Sequence, residues 1–388
     1  MRPAFAILLA LGLAASVAAQ APPRQVVSFV APVTGPVGVY EAADGLSHPW
    51  GLAFLPDGRM LVTERGGQLR LVTPNSGETP GVVEGTPTVY AQGQGGLLDV
   101  ALDPDFEDNG FVYLTYSRPG PDGAAAPALG RGRFVDDRLE DFEVLFTAEP
   151  YLVSRGHFGS RIVFDDDGHL FMTTGERFQF TPSQDLGNAL GSVVRLHRDG
   201  SVPDDNPFVG EPGAEGAVWS YGHRNIQAAA FHGDTGELYV TEMGPLGGDE
   251  LNHVRRGENY GWPYVSWGMD YDGELIPDPT TRPEFADALH VFDPTIAPSG
   301  MAYYTGDVFD GWRGHFLIGS LVYRGLVRVH VEDGEVASRE IYPIGRRIRE
   351  VEQGPDGLVY VLTDEDEAHV LVLRPIETRP PPPDEFGD

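Results

Sequence analysis

Cysteine and lysine are both absent from the 388-residue sequence, so every basic side chain other than histidine is an arginine. Without cysteine there are no disulfides and no thiolate metal ligands, and stability rests on core packing, a hard-cation site or both. Positive charge is scarce as well: 27 arginines stand against 58 acidic residues, a net charge of −31. A surface that acidic repels phosphate backbones, which excludes nucleic acid and anionic membranes as natural partners. Sustained helical periodicity is missing, since no segment keeps a three-to-four-residue apolar period beyond about two turns. Glycine (50) and proline (33) are abundant instead, which predicts many tight turns rather than long helices.

One apolar run exists, at the N-terminus. In "MRPAFAILLALGLAASVAAQ", Arg2 supplies the positive start, Ala4 to Ala15 the apolar stretch and Ser16 to Ala19 a small-residue cleavage site. The run is too short for a membrane span, and no other stretch approaches that length. Residues 1–19 are therefore expected to be a secretory signal, with the mature protein soluble and either periplasmic or secreted. At the far end, "RPPPPDEFGD" predicts a loose proline-rich tail over 376–388.

Between these ends a turn-then-strand unit recurs six times: "LPDGRMLVTER", "DPDFEDNGFVYLTYS", "FDDDGHLFMTTGER", "HGDTGELYVTEMG", "FDGWRGHFLIGSL" and "GPDGLVYVLTDE". Each places a glycine at a tight turn, at positions 58, 110, 168, 236, 314 and 357, ahead of a short β-rich run. Spacings of about 40 to 80 residues suit four-stranded antiparallel sheets with variable loops stacked around an axis. The expected architecture is thus all-β, a six-bladed propeller over residues 24–375. A pair of β-sandwiches would also give many short strands but would not explain one motif repeated along the whole length. The final strand at 369–375 and an early strand near 24–32 are expected to pair and close the ring.

Five stretches put unusual polar residues beside separate repeats. They are "GQGGLLDV" with Gln94, "SRGHFGSR" with His157 and Arg161, "YGHRNIQ" with Arg224 and Asn225, "TEMGPLGGDELN", and "GRRIREVEQ" with Arg347 and Arg349. Taken singly, each is an ordinary loop or a solvated charge. A propeller, however, would turn all five toward one axis. Arg224, Arg347 and Arg349 together would repel one another unless an anionic ligand offset them, and guanidinium forks suit carboxylates. Exposed carbonyls at Gly244 and Pro245, next to Asp249 and Glu250, offer hard oxygen ligands that favour calcium. A histidine close by is the natural general base at neutral pH.

At these residues the sequence resembles the soluble, periplasmic aldose sugar dehydrogenases that use pyrroloquinoline quinone. The resemblance runs from "LSHPWGLAFLPDGRMLVTERGG" to "RIREVEQGPDGLVYVLTD" and is carried jointly by "GHRNIQ", "GPLGGDELN", "GENYGWP", "PTIAPSGM" and "RIREV" in that order. It implies oxidation of aldoses at C1 to lactones, with calcium bound and an electron acceptor still to be identified. His157 would take the C1 hydroxyl proton while hydride moves to the quinone C5. Arg224 would stand beside the quinone carbonyl and stabilise negative charge there. Gln94, Asn225, Thr295, Arg347 and Arg349 match cofactor contacts. The carbonyls of Gly244 and Pro245 match ligands of the cofactor-bound calcium, and Asp249, Glu250 and Tyr260 match a second calcium site.

Three departures bear on the cofactor face and the sugar pocket. The glucose dehydrogenases place a lysine near "GSLVYRGLVRV"; here Arg324 or another group must serve. They carry an aspartate before the catalytic histidine, where this sequence has Gly156, and aromatic residues where it has His290 and Asp293. A broad aldose range is expected rather than glucose preference. Two other functions compete with this one: a calcium-dependent lactonase on a similar six-bladed scaffold, and a non-catalytic propeller that binds glycans or a protein. The lactonase would need several carboxylate or amide ligands on an ion at the axis. The binder would need neither His157 nor the paired arginines.

Overall fold

The computed structural model describes residues 23–377. The expected signal segment and the tail beyond residue 377 lie outside the described residues. Six antiparallel sheets account for nearly all of the regular structure, joined by one short helical turn at Phe106–Asn109 and a few 3₁₀ turns. Blades 1 to 5 each contain four strands in simple up-and-down order, with innermost strands Pro49–Phe54, Leu97–Leu102, Ile162–Phe164, Ile226–Phe231 and Pro298–Tyr304. Blade 6 begins at Ile348–Gln353. Each innermost strand touches that of the next blade, and Ile348–Gln353 touches Pro49–Phe54, so the ring closes. Among the described residues no helix is long and apolar enough to cross a membrane.

The six repeat glycines lie in the first turn of the six blades, all with φ between 69° and 85°. L-residues with a Cβ reach that region only at a cost, which is why the repeat carries glycine there. Closure differs from the expectation in one respect. The last strand, Ala368–Pro375, pairs with Gly35–Leu46 in a register that includes Val39↔Leu373. Gln25–Ala31 then pairs with Gly35–Leu46 and becomes the outermost strand of a five-stranded sheet. The longer strand Gly35–Leu46 buries its middle against both neighbours, so it takes the closing position and leaves Gln25–Ala31 at the edge.

Packing between blades explains why the middle strands are apolar on both faces. Met60 and Val62 pack against blade 6, whereas Leu61 between them packs against blade 2. Likewise Tyr113 faces blade 3, and Val112 and Leu114 face blade 1. Strands sandwiched in this way read as continuous hydrophobic runs rather than alternating ones. Buried hydroxyls staple the blades together. The Thr63 hydroxyl donates to the Leu98 carbonyl, Thr115 Oγ1 to Ser160 O at 2.6 Å, and Ser299 Oγ to Ile348 O at 2.6 Å. Each reaches the next blade at the end of the ring where that blade's lead-in segment enters.

Five of the six innermost strands have a register shift near their start, against Pro49, Leu97, Ile226, Pro298 and Ile348. Such bulges re-aim side chains, and here they bring Trp50, Leu98, Gln227 and Arg349 onto the wall of one cavity. The stapling can be tested at Thr115, whose Oγ1 also accepts from the Asp99 N–H at 2.9 Å. Thr115→Val leaves a buried donor and a buried acceptor unpaired, so urea unfolding should show a loss of about 2 kcal/mol. An unchanged midpoint would contradict the staple.

Candidate active site

One end of the channel opens into a cavity of about 450 Å³ lined by groups from all six blades. Trp50, Leu98, Phe158, Met243, Ala297 and Leu321 supply apolar walls, and Gln94, Asn225 and Gln227 supply amides. Three arginines, Arg65, Arg347 and Arg349, face the same space with a single carboxylate, Asp364. Asp364 Oδ2 accepts from Arg349 Nη2 at 2.8 Å and from Arg347 Nη2 at 3.2 Å. Burial opposes its charge, but the guanidinium of Arg349, with Arg65 and Arg347, holds the carboxyl well below the usual range. Burial and the neighbouring arginines in turn lower Arg349. Its Nε is buried without an acceptor, as is that of Arg65. The cluster therefore retains excess positive charge and open donors, which fits a flat anion bearing carboxylates.

The floor of this cavity is an ion-pair layer across the axis. Arg161 Nη1 donates to Asp99 Oδ1 at 3.0 Å and also to Glu350, while its guanidinium stacks on Trp50 at 4.2 Å. Below this layer the channel widens again to about 570 Å³, lined by the six innermost strands. Glycines make the narrow level possible: a Cβ at Gly300 would overlap Glu350, and one at Gly51 would sit 2.6 Å from Asp99 Oδ1.

His157 does not itself line the cavity but directly precedes two residues that do, Phe158 and Gly159; it is 2 % exposed, with φ of 51°. Two expected cofactor-contacting residues hold its loop. The His157 N–H donates to Gln94 Oε1 at 2.7 Å, and the Gly159 N–H donates to Asn225 Oδ1 at 3.2 Å. Its Nδ1 lies 2.5 Å from Glu176 Oε1, which directs Nε2 away from the carboxylate. Burial lowers the imidazole below its ordinary value, the Glu176 carboxylate opposes this, and Arg224 and Arg177 add to the depression. The ring is therefore neutral at neutral pH, with a lone pair free to accept a proton.

Arg224 is buried. Its Nη1 donates to the carbonyls of Met243 at 2.8 Å and Gly244 at 2.9 Å, and its Nη2 to Tyr271 Oη at 3.0 Å. Beneath it Glu242 accepts from the Arg224 N–H at 2.7 Å and pairs with His223 Nδ1 at 2.9 Å. Ser220 Oγ meets His223 Nε2 at 2.9 Å. This serine–histidine–glutamate trio has the shape of a hydrolase triad, but Ser220 and His223 are completely buried. It anchors Arg224 rather than meeting a substrate.

The acidic pair expected at a second calcium divides. Adjacent strand residues point to opposite faces. Asp249 accordingly turns to the loops, accepting from Gly244 N at 3.1 Å, Ile296 N at 2.9 Å, Ala297 N at 2.7 Å and the Thr295 hydroxyl. With its oxygens so engaged, Asp249 braces the turn instead of offering a ligand, and Thr295 is tied to it rather than lining the cavity. Glu250 faces the other way, into an ion-sized void shared with Glu242, Gly244 and Tyr260. Burial beside Glu242 pushes Glu250 well above the usual carboxyl range. Asn252 bridges the two glutamates, and its Oδ1 is buried without a donor. The two carboxylates suit a hard cation, with the Arg224 guanidinium lining the same void. The Tyr260 hydroxyl is committed to His253 O at 2.5 Å, so only its main chain is free to contribute.

Arg324 does not take the place of the missing lysine. It is exposed, with φ of 56°, and Arg65 provides the third cation of the cavity. Sequence reasoning missed Arg65, Glu176, Asp364 and Phe178. A signal for two of them was present: "VTER", "TTGER", "VTEMG" and "LTDE" each end a repeat with an acid. Glu64, Glu176, Glu242 and Asp364 each grip the segment leading into their own blade, at Ser47 N, His157, His223 with Arg224 N, and Arg347.

The pairing of His157 predicts its titration. Because Glu176 supports the protonated ring, Glu176→Gln should move its midpoint further below about 6.5. NMR titration of the imidazole resolves this, and an upward shift would contradict the assignment.

Residues 46–372 match the profile of the family described as Glucose / Sorbosone dehydrogenase. The sequence is 43 % identical over 354 residues to aldose sugar dehydrogenase YliI of Escherichia coli, covering 89 % of this chain and 95 % of that one. It superposes on the crystal structure of the soluble aldose sugar dehydrogenase of Escherichia coli in its apo form with a TM-score of 0.83. That match is 41 % identical and covers 88 % of this chain and 100 % of the other. A structure of the PQQ-bound form of an aldose sugar dehydrogenase from Streptomyces coelicolor matches with a TM-score of 0.73. Its identity is 28 %, with 88 % and 99 % of the two chains covered.

Proposed function

The chain belongs to the Glucose / Sorbosone dehydrogenase family, and from that membership we propose that it oxidises aldose sugars at C1 to lactones, using pyrroloquinoline quinone and calcium. The observation that carries this reading is the junction of two features. A cavity with three arginines lies beside the buried His157, a neutral imidazole held by the Glu176 carboxylate. Arg65, Arg347 and Arg349 would hold the carboxylates of the quinone, with Gln94, Asn225 and Gln227 on its edges. The carbonyls of Gly244 and Pro245 would face one calcium, and Glu250 with the Tyr260 main chain a second. The quinone held there would supply a hydride acceptor, and the calcium a Lewis acid.

The protein's own groups handle the proton. His157 Nε2 accepts it from the anomeric hydroxyl, and Glu176 stabilises the imidazolium that forms. Arg224, with its Nε buried and unpaired, stabilises developing negative charge opposite the base. Hydride and proton leave the sugar together as a pair of equivalents, and C1 becomes the lactone carbonyl. Residues 1–20 support export, so we place the mature enzyme in the periplasm or outside the cell. Its electron acceptor there is a separate molecule.

Apo protein given calcium and the quinone should reduce an artificial dye with glucose and other aldoses. Lactone hydrolysis by the quinone-free, calcium-loaded protein, with no dye reduction, would sink this reading. His157→Ala should keep quinone binding and lose a factor on the order of 10²–10⁴ in turnover. Arg349→Ala should instead weaken quinone binding roughly 10²-fold, read by absorbance titration. Normal quinone affinity in Arg349→Ala would remove the arginines from the cofactor site.

A further inference from the structure

Gly156, directly before His157, does not need glycine's backbone freedom, because its φ is not left-handed. It needs glycine's size. A Cβ there would overlap the Phe178 ring and approach Gln94 Oε1 to 3.2 Å. Phe178 lies on the imidazole of His157 with ring centroids 3.6 Å apart and planes tilted by 33°. The phenyl ring is 41 % exposed, whereas the base beneath it is closed off.

The segment that presents this ring is strained. Arg177, Phe178 and Phe180 have φ of 65°, 57° and 59°, left-handed conformations uphill for residues with a Cβ. Phe180 has ψ of −70° and forms a tight three-residue turn, closed by Thr181 N–H on Gln179 O at 2.7 Å. Two buried groups sustain the strain. Glu176 Oε2 accepts from Gln179 N at 2.6 Å and from Phe180 N at 3.2 Å. Arg177, buried over the Phe158 ring at 3.4 Å, donates to the carbonyls of Ser154 and Gly156. Arg177 has no carboxylate partner, and burial brings it down to about 10. A strained turn and an unpaired buried cation are thus maintained around one product, an exposed aromatic ring covering the base.

We propose that Phe178 is the residue that sets sugar selectivity, taking the C–H face of a pyranose ring against its own while the C1 hydroxyl meets His157, and that Gly156 is the space that admits it. This rests on His157 as the base. A hydrogen-bonding side chain at 156 and the Phe178 ring cannot share one volume, so position 156 presents no side-chain donor or acceptor beside the base. A site that hydrogen-bonds a hydroxyl rejects the analogue lacking it strongly, whereas an apolar contact hardly discriminates. The substrate class is therefore aldopyranoses selected by shape, with C2 epimers and 2-deoxy sugars accepted at kcat/KM within about tenfold of one another.

The test uses enzyme loaded with quinone and calcium. Phe178→Ala should raise KM for aldoses about tenfold. It should leave kcat within about threefold and quinone affinity unchanged, and Phe178→Tyr should restore KM. Thermal unfolding of the unloaded protein gives an independent readout. Gly156→Ala should lower Tm by a few degrees alone and by much less in the Phe178→Ala background. Equal Tm losses in both backgrounds, or an unmoved KM in Phe178→Ala, would overturn the proposal while wild-type activity stands. If the wild type oxidises no aldose, the dehydrogenase reading fails first and the selectivity role fails with it.

Discussion

Glu176 meets Nδ1 of His157 at 2.5 Å where both side chains are almost completely buried, and the geometry of the candidate site follows from that contact. The carboxylate fixes the tautomer of the base, supports its protonation and, through its second oxygen, pins the strained turn that carries Phe178. A buried charge of this kind persists only when fully hydrogen-bonded, and here each oxygen has partners. The same device recurs around the ring. An acid at the end of a blade's second strand grips the lead-in to that blade's innermost strand, at Glu64, Glu242 and Asp364 as well. One structural clamp thus holds His157 in blade 3, anchors Arg224 in blade 4 and supplies a counter-charge to arginines in blade 6.

The charge distribution runs opposite to the composition. A protein with a net charge of −31 gathers Arg65, Arg347 and Arg349 at one end of its axis, with only Asp364 among them. Field lines concentrate in such a cleft, so it would draw an anion although the outer surface repels one. The Arg161 layer separates this positive chamber from the lower channel. It also ties Asp99 and Glu350 into ion pairs, which leaves these two carboxylates engaged with a guanidinium.

Some of this was legible in the residues. Six turn glycines gave the blade count, because only a left-handed turn forces glycine at each one. Arg347 and Arg349 were readable as an anion site because two guanidinium groups so close in sequence need a counter-charge. Other features were hidden by distance along the chain. Asp364 follows Val359–Thr363, the strand after the one that carries Arg349, and Arg65 comes from blade 1, so no local pattern joins them. The alternation of a strand separates Asp249 from Glu250, yet their adjacency in sequence suggested a shared ion.

By itself, then, the sequence determined the architecture and the chemical inventory: an acidic six-bladed ring, a histidine in a glycine-rich loop and arginines beside separate repeats. These depend on local rules, such as turn conformation, hydrophobic runs and charge counting. Only the tertiary structure decided which acid holds His157, which arginine joins Arg347 and Arg349 in the cavity, where the ring is closed, and that Phe178 fills the room left by Gly156. Those outcomes depend on packing between segments far apart in the chain, where a few tenths of an ångström decide which side chain occupies the space.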